Sequence, residues 1–245
     1  MFPFLQAKIR EVKMIKYKRI LLKISGEALS NGLSGISGPS TVELAKQLKQ
    51  IADTGVQLAI VVGGGNIWRG REIDTMDRAN ADNIGMLATV MNGLALGEAL
   101  SSLGVPNKVV SSFAIDKVAE MHFLPNVMRY LEEKKVVIFV GGTGSPYFST
   151  DTAASLRACE IHADAMFCLK AVDGIYDSDP KLNPKAKKYD ELTYDKVIAD
   201  NLKALDLTAV AMCREFGVKV VTIGKNEPNG ILRVLNGEKL GTIIK

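Results

Sequence analysis

Residues 57–70 read QLAIVVGGGNIWRG: an apolar run stopped abruptly by three glycines and followed by a tryptophan and an arginine. Gln57–Val62 is too short for a helix and too apolar for a strand with a wetted face, so it reads as a strand covered on both sides. Glycines directly after such a strand let the backbone take positive φ and approach a ligand closely. In open α/β sheets that position, outside the carboxyl ends of the strands, is where ligands bind.

The pattern repeats in both directions. Arg19–Ile24 (RILLKI) reads as a first buried strand ending in Lys23-Ile24-Ser25-Gly26-Glu27. Val136–Val140 (VVIFV) runs into Gly141-Gly142-Thr143-Gly144-Ser145-Pro146-Tyr147-Phe148-Ser149-Thr150-Asp151. Between these lie helical patterns at Thr41–Ala52, with Ser40 as cap, at Asn83–Leu103 and at Ala153–His162. Further strands are expected at Lys108–Ser111, Ala165–Leu169, Val218–Ile223 and Thr242–Ile244, and further helices at Leu192–Asn201 and Leu207–Phe216. Asp173 to Lys188, with Pro180 and Pro184, reads as a surface loop. Strands alternating with helices predict an α/β protein: a three-layer α/β/α sandwich around a central, mostly parallel sheet. Residues 14–245 are expected to form one domain of two lobes behind an N-terminal extension, 1–13, with Met14 as an alternative start.

Composition excludes several classes. The chain has 245 residues, 47% hydrophobic and 24% charged, enough for a sizeable core and unlike a disordered chain. A net charge of +4 is too mild for an obvious nucleic-acid binder, and the densest basic stretch, Lys8 to Arg19, reads as a solvated arm. The three cysteines (Cys159, Cys168, Cys213) have no C-x-x-C spacing and read as reduced core thiols. His122 and His162 lack metal-site spacing. No apolar run is read as a membrane span and no signal-peptide core is present, so a cytoplasmic location is expected.

Each glycine turn alone could be a plain strand-to-helix connection. Three at strand ends, two with a cation close by (Lys23, Arg69), favour polyphosphate binding. The standard devices fail: no G-x-x-x-x-G-K-[ST] occurs, and Trp68 and Tyr147 stand where a G-x-G-x-x-G fingerprint needs its last glycine. No G-x-S-x-G elbow is present, and the carboxylates are dispersed.

The segments KRILLKISGEAL (18–29), VVGGGNIWRG (61–70), ADNIGMLATVMNGLAL (81–96), GTGSPYFSTDTAASLRACEI (142–161), VDGIYDSDP (172–180) and LDLTAV (205–210) together resemble the amino acid kinase family, most closely its bacterial-type uridylate kinases. The resemblance runs from Tyr17 to the C-terminus. It implies a nucleoside monophosphate kinase moving the ATP γ-phosphoryl group to UMP in pyrimidine nucleotide biosynthesis, with an acceptor-binding N-terminal part and an ATP-binding C-terminal part. Lys23, Arg69 and Asp206 would be catalytic, with Asp206 orienting the lysine and helping to hold magnesium. Lys23, Ile24, Ser25, Gly26, Gly65, Arg69, Lys170, Tyr176 and Asp179 would bind ATP. Gly64, Asp82 and the stretch Thr143, Gly144, Ser145, Pro146, Tyr147, Phe148, Ser149 and Thr150 would bind UMP. Magnesium would arrive with ATP and have no direct protein site. The resemblance also implies a homohexamer built from dimers, with the Asn83–Leu103 helix a candidate interface, and UTP as feedback inhibitor.

Plain readings stand beside these roles. Asp82 could cap the long helix, Thr150 could cap its own, Tyr176 could be loop packing, and Met86, Met91 and Leu94 could be core or subunit contacts. Two departures matter. Lys170 stands where relatives carry a threonine that touches ATP. The loop SNGLSGISG (30–38) lacks the family's glycine–acid–phenylalanine–glycine pattern, which makes GTP a doubtful activator. Competing functions are a kinase of an amino acid or carbamate, a non-catalytic nucleotide sensor and, more distantly, a nicotinamide dehydrogenase.

Overall fold

Short apolar strands build the frame, each followed by a helix or turn. In chain order the elements are β1 (Arg19–Ile24), α1 (Gly38–Ala52), β2 (Gln57–Val62), α2 (Arg78–Ser102), β3 (Asn107–Ser111), β4 (Glu120–Met121), α3 (Leu124–Glu132), β5 (Val136–Val140) and α4 (Thr150–Glu160). Then come β6 (Ala165–Lys170), β7 (Ile175–Tyr176), β8 (Lys188–Tyr189), β9 (Glu191–Leu192), α5 (Tyr194–Ala199), α6 (Leu207–Glu215), β10 (Lys219–Gly224), α7 (Gly230–Leu235) and β11 (Thr242–Ile244). The computed structural model describes residues 16–70 and 74–245. The expected extension 1–13 and Met14 lie outside the described residues.

The main sheet has the order β4-β3-β5-β2-β1-β6-β10-β11-β9. It is parallel from β4 to β10; β11 turns back antiparallel to β10 and pairs in parallel with β9. Strand alternation divides the core into two layers. Ile20, Leu22, Ile24, Leu58, Ile60 and Val62 face α1, α2 and α7. Leu21, Ala59, Val61, Phe139, Met166 and Cys168 face α3 to α6. This is the expected three-layer sandwich.

Helix starts differ from the expected ones for local reasons. α1 is capped by Ser37, not Ser40, because Pro39 fits the first turn, where no backbone N–H is needed. α2 starts at Arg78, its cap being Asp77, whose side chain accepts from the Ala79 and Asn80 N–H groups. The capping alternative for Asp82 is thereby excluded. Ser149, not Thr150, caps α4. The expected helix from Leu192 instead opens as strand β9 and becomes helical only at Tyr194, after the Thr193 cap. The loop at 173–188 holds β7 and pairs it with β8. The short helices α3 and α7 were not foreseen.

α2 also corrects the reading that no segment could span a bilayer. It has 25 residues, and an 18-residue window of it with a mean hydropathy of 1.3 qualifies by length and composition, yet half of that window is buried within the fold, as in a core helix. Its glycines seat it on the sheet: a Cβ on Gly97 would come within 3.0 Å of a Val109 methyl. Arg19 departs from the solvated-arm reading too, since its Nε donates to Gln57 Oε1 at 2.6 Å from within β1.

Candidate active site

The sheet order makes β5, β2, β1 and β6 neighbours, so the three glycine turns meet along one edge. Gly26 packs against the second turn so closely that a Cβ there would sit 2.7 Å from the Gly63 carbonyl oxygen. Asn66 and Asn92 form a buried reciprocal amide pair, with Nδ2–Oδ1 distances of 3.0 and 2.7 Å, and Asn92 also donates to Gly63 O at 2.7 Å. The Asn66 amide reaches Gly35 O at 2.9 Å. These bonds tie the 63–66 turn to α2 and to the loop at 30–38.

Strand alternation turns Lys23 to the same face as Leu21, beneath α4. Its ammonium lies 2.8 Å from Asp151 Oδ1 in the first turn of α4, and the two side chains keep only 15% and 18% of their surface exposed. Burial alone would push Lys23 toward the neutral form. Asp151, supported by Asp206, outweighs burial and holds the pKa above the ordinary 10.5, so Lys23 carries a full charge at neutral pH. Asp206 caps α6 through the Ala209 N–H at 2.8 Å, and it accepts from Thr152 Oγ1 at 3.0 Å and from the Ser149 hydroxyl. It thus joins the starts of α4 and α6 behind Lys23.

Around the second and third turns lies a cavity of about 370 Å³, bordered by Gly64, Gly65, Arg69, Asp82, Thr143, Ser145, Phe148, Ser149 and Thr150. Gly144, Pro146 and Tyr147 belong to the same loop but not to that wall. Gly141, Gly142 and Gly144 have φ of 78°, 58° and 86°, a run only glycine adopts freely. Tyr147 has φ 72°, which is strained for a bulky residue, and Asp82 Oδ2 fastens it by accepting its N–H at 2.8 Å. Both Asp82 oxygens also accept from Arg78 Nε, each at 2.9 Å. Asp82 therefore organises this wall of the cavity. We expect Asp82→Asn to weaken a ligand held in this cavity about tenfold, because one charge-assisted anchor of its wall is lost. Unchanged affinity in the variant would remove Asp82 from the ligand-holding wall.

Two further cavities adjoin this one or the neighbouring strand ends. One of about 800 Å³ is bordered by Glu27, Ser34, Gly65, Trp68, Arg69 and Lys225, and so shares Gly65, Trp68 and Arg69 with the first. Arg69 reaches Glu27 and Gly65 O there. The other, about 490 Å³, holds Lys170, Tyr176 and Asp179. Tyr176 donates its hydroxyl to Asp173 of the same loop at 2.6 Å. Ile24 is a core side chain, Gly26 is buried and Ser25 is exposed, which leaves Ser25 and the backbone of this turn to face a ligand.

Sequence reasoning did not assign Asp151, Arg78, Trp68 or Thr89. Trp68 Nε1 donates to Ala81 O at 2.8 Å, and Thr89 Oγ1 accepts the Gly141 N–H at 2.7 Å. Met86, expected as a core or subunit contact, borders the first cavity; Met91 is exposed and Leu94 packs on the core. A signal for Asp151 existed: a lysine in a buried strand needs a carboxylate. Burial pushes the Cys168 thiol up to about 12 and the Cys159 thiol to about 11, so neither is a thiolate nucleophile.

The amino acid kinase family model matches residues 18–224. The chain belongs to the amino acid kinase family. Among solved structures, this amino acid kinase is similar to the UMP kinase from Bacillus anthracis, with 35% identity, 94% of this chain and 96% of that one covered, and a TM-score of 0.90. It is similar to the UMP kinase from Ureaplasma parvum at 41% identity, 94% and 100% coverage and a TM-score of 0.87. The uridylate kinase from Archaeoglobus fulgidus matches at 27% identity, 92% and 99% coverage and a TM-score of 0.70.

Proposed function

We propose that this member of the family is a UMP kinase, moving the ATP γ-phosphoryl group to UMP to give UDP and ADP. The observation that carries the reading is a walled acceptor cavity sharing Gly65 and Arg69 with the space on the donor side, in a chain as much as 41% identical to a UMP kinase. The acceptor is already a phosphate oxygen, so no covalent enzyme intermediate is needed. Charge neutralisation and in-line positioning dominate. Lys23 and Arg69 supply fixed cations, and the turn amides supply donors already aimed at the phosphates. Asp82 and the loop from Thr143 to Thr150 hold the acceptor nucleotide; Tyr176, Asp179 and Lys170 hold the donor nucleoside. The N-terminal part thus serves the acceptor and the C-terminal part the donor.

Magnesium fits this site as a companion of the ATP phosphates. The carboxylates nearest Lys23, Asp151 and Asp206, are engaged with protein donors, which suits a cation held chiefly by the phosphates and waters. When bound, it would neutralise charge on the donor phosphates, with Asp206 the residue placed to help. We further propose a cytoplasmic enzyme of pyrimidine nucleotide synthesis that assembles as a homo-oligomer, a hexamer by resemblance. Leu87 and Met91, 49% and 47% exposed on α2, support a subunit contact there.

An ADP-release assay with ATP and magnesium, offering UMP, CMP, glutamate, acetylglutamate or carbamate, tests the reading. UMP is expected to be the preferred acceptor. ADP formed with glutamate or carbamate but not with UMP would overturn it. The same panel with GTP and UTP reads activation and feedback.

A further inference from the structure

Most cations near these turns are neutralised: Lys23 by Asp151, Arg69 by Glu27, Arg78 by Asp82, Lys188 by Asp173, and Arg233 by Glu227 and Glu238. Among the described residues, Lys170 and Lys225 make no ion pair, although they sit on adjacent strand ends. Lys170 closes β6 opposite Gly224 of β10, and the Lys225 N–H donates to Lys170 O at 2.7 Å. The acids nearby in sequence are occupied, Glu227 by Arg233 and Asp173 by Lys188 and Tyr176.

The lysines open to opposite faces. Lys170 follows Cys168 by strand alternation and borders the cavity with Tyr176 and Asp179. Lys225 follows Ile223 and borders the cavity with Glu27, Gly65 and Arg69. The ends of β6 and β10 thus present one unpaired lysine to each of the two cavities.

We propose that Lys225 is a donor-nucleotide ligand which, with Lys170, clamps the non-transferred phosphates. This rests on the reading of the site as a nucleotide kinase. Phosphates that do not react bind alike in the ground and transition states, so the clamp sets affinity for the donor rather than turnover.

The test is binding of ADP with magnesium, by calorimetry, to the full chain and its Lys225→Met variant, with adenosine as a phosphate-free probe. ADP is expected to bind about tenfold more weakly to the variant, the loss of one charge-assisted contact, with adenosine unchanged. Lys225→Arg restores most of the ADP affinity. In the steady state, the KM for ATP rises while kcat and the KM for UMP hold. Unaltered ADP affinity, or equal weakening of ADP and adenosine, overturns the clamp. A parent chain that binds ADP with this Lys225 dependence yet phosphorylates no UMP would sink the kinase reading and uphold the clamp.

Discussion

Lys23→Ala is expected to turn over roughly a hundred to a thousand times more slowly than the parent chain at saturating ATP and UMP, the loss typical of one preorganised charge-stabilising donor. Lys23 is a fixed cation held protonated at the end of β1, beside the Ser25–Gly26 turn. The fold should survive. Both partners of the pair keep some contact with solvent, so removing one costs less than the ~3–5 kcal/mol of a fully buried pair. Thermal unfolding checks the fold, and kcat checks the role. A folded variant with near-parental turnover would take Lys23 out of the chemistry.

Asp151→Asn should produce the second-largest effect, with a different signature. Burial drives the Lys23 pKa down and Asp151 is the main force raising it, so the substitution lets that pKa fall. The variant should lose activity with rising pH at values below the ordinary 10.5, where the parent lysine stays charged. A pH–rate profile parallel to the parent's would mean that Asp151 does not set the charge of Lys23. Stability follows the same sign. Because the folded pKa is raised, the parent's pair contributes fully below the ordinary 10.5 and is lost only as pH climbs through the folded value.

Asp82 shows how far local reading reaches. From its neighbours it could cap α2 or serve the acceptor. The structure gives the cap to Asp77 and ties Asp82 to Arg78 and to the strained Tyr147. Asp151 stood in a quoted motif without a role because its partner is 128 positions away, on β1. Lys225 drew no notice because it follows an unremarkable strand, and its meaning comes only from the neighbouring end of β6.

By itself the sequence determined the buried strands, their glycine-rich ends and hence the α/β class, because strand length, apolar runs and turn residues are local properties written in consecutive positions. Tertiary structure alone decided the strand order, which aspartate neutralises Lys23, and which lysines share a strand-end crest. Those pairings join residues far apart in the chain, and their energies depend on burial and distance rather than on spacing.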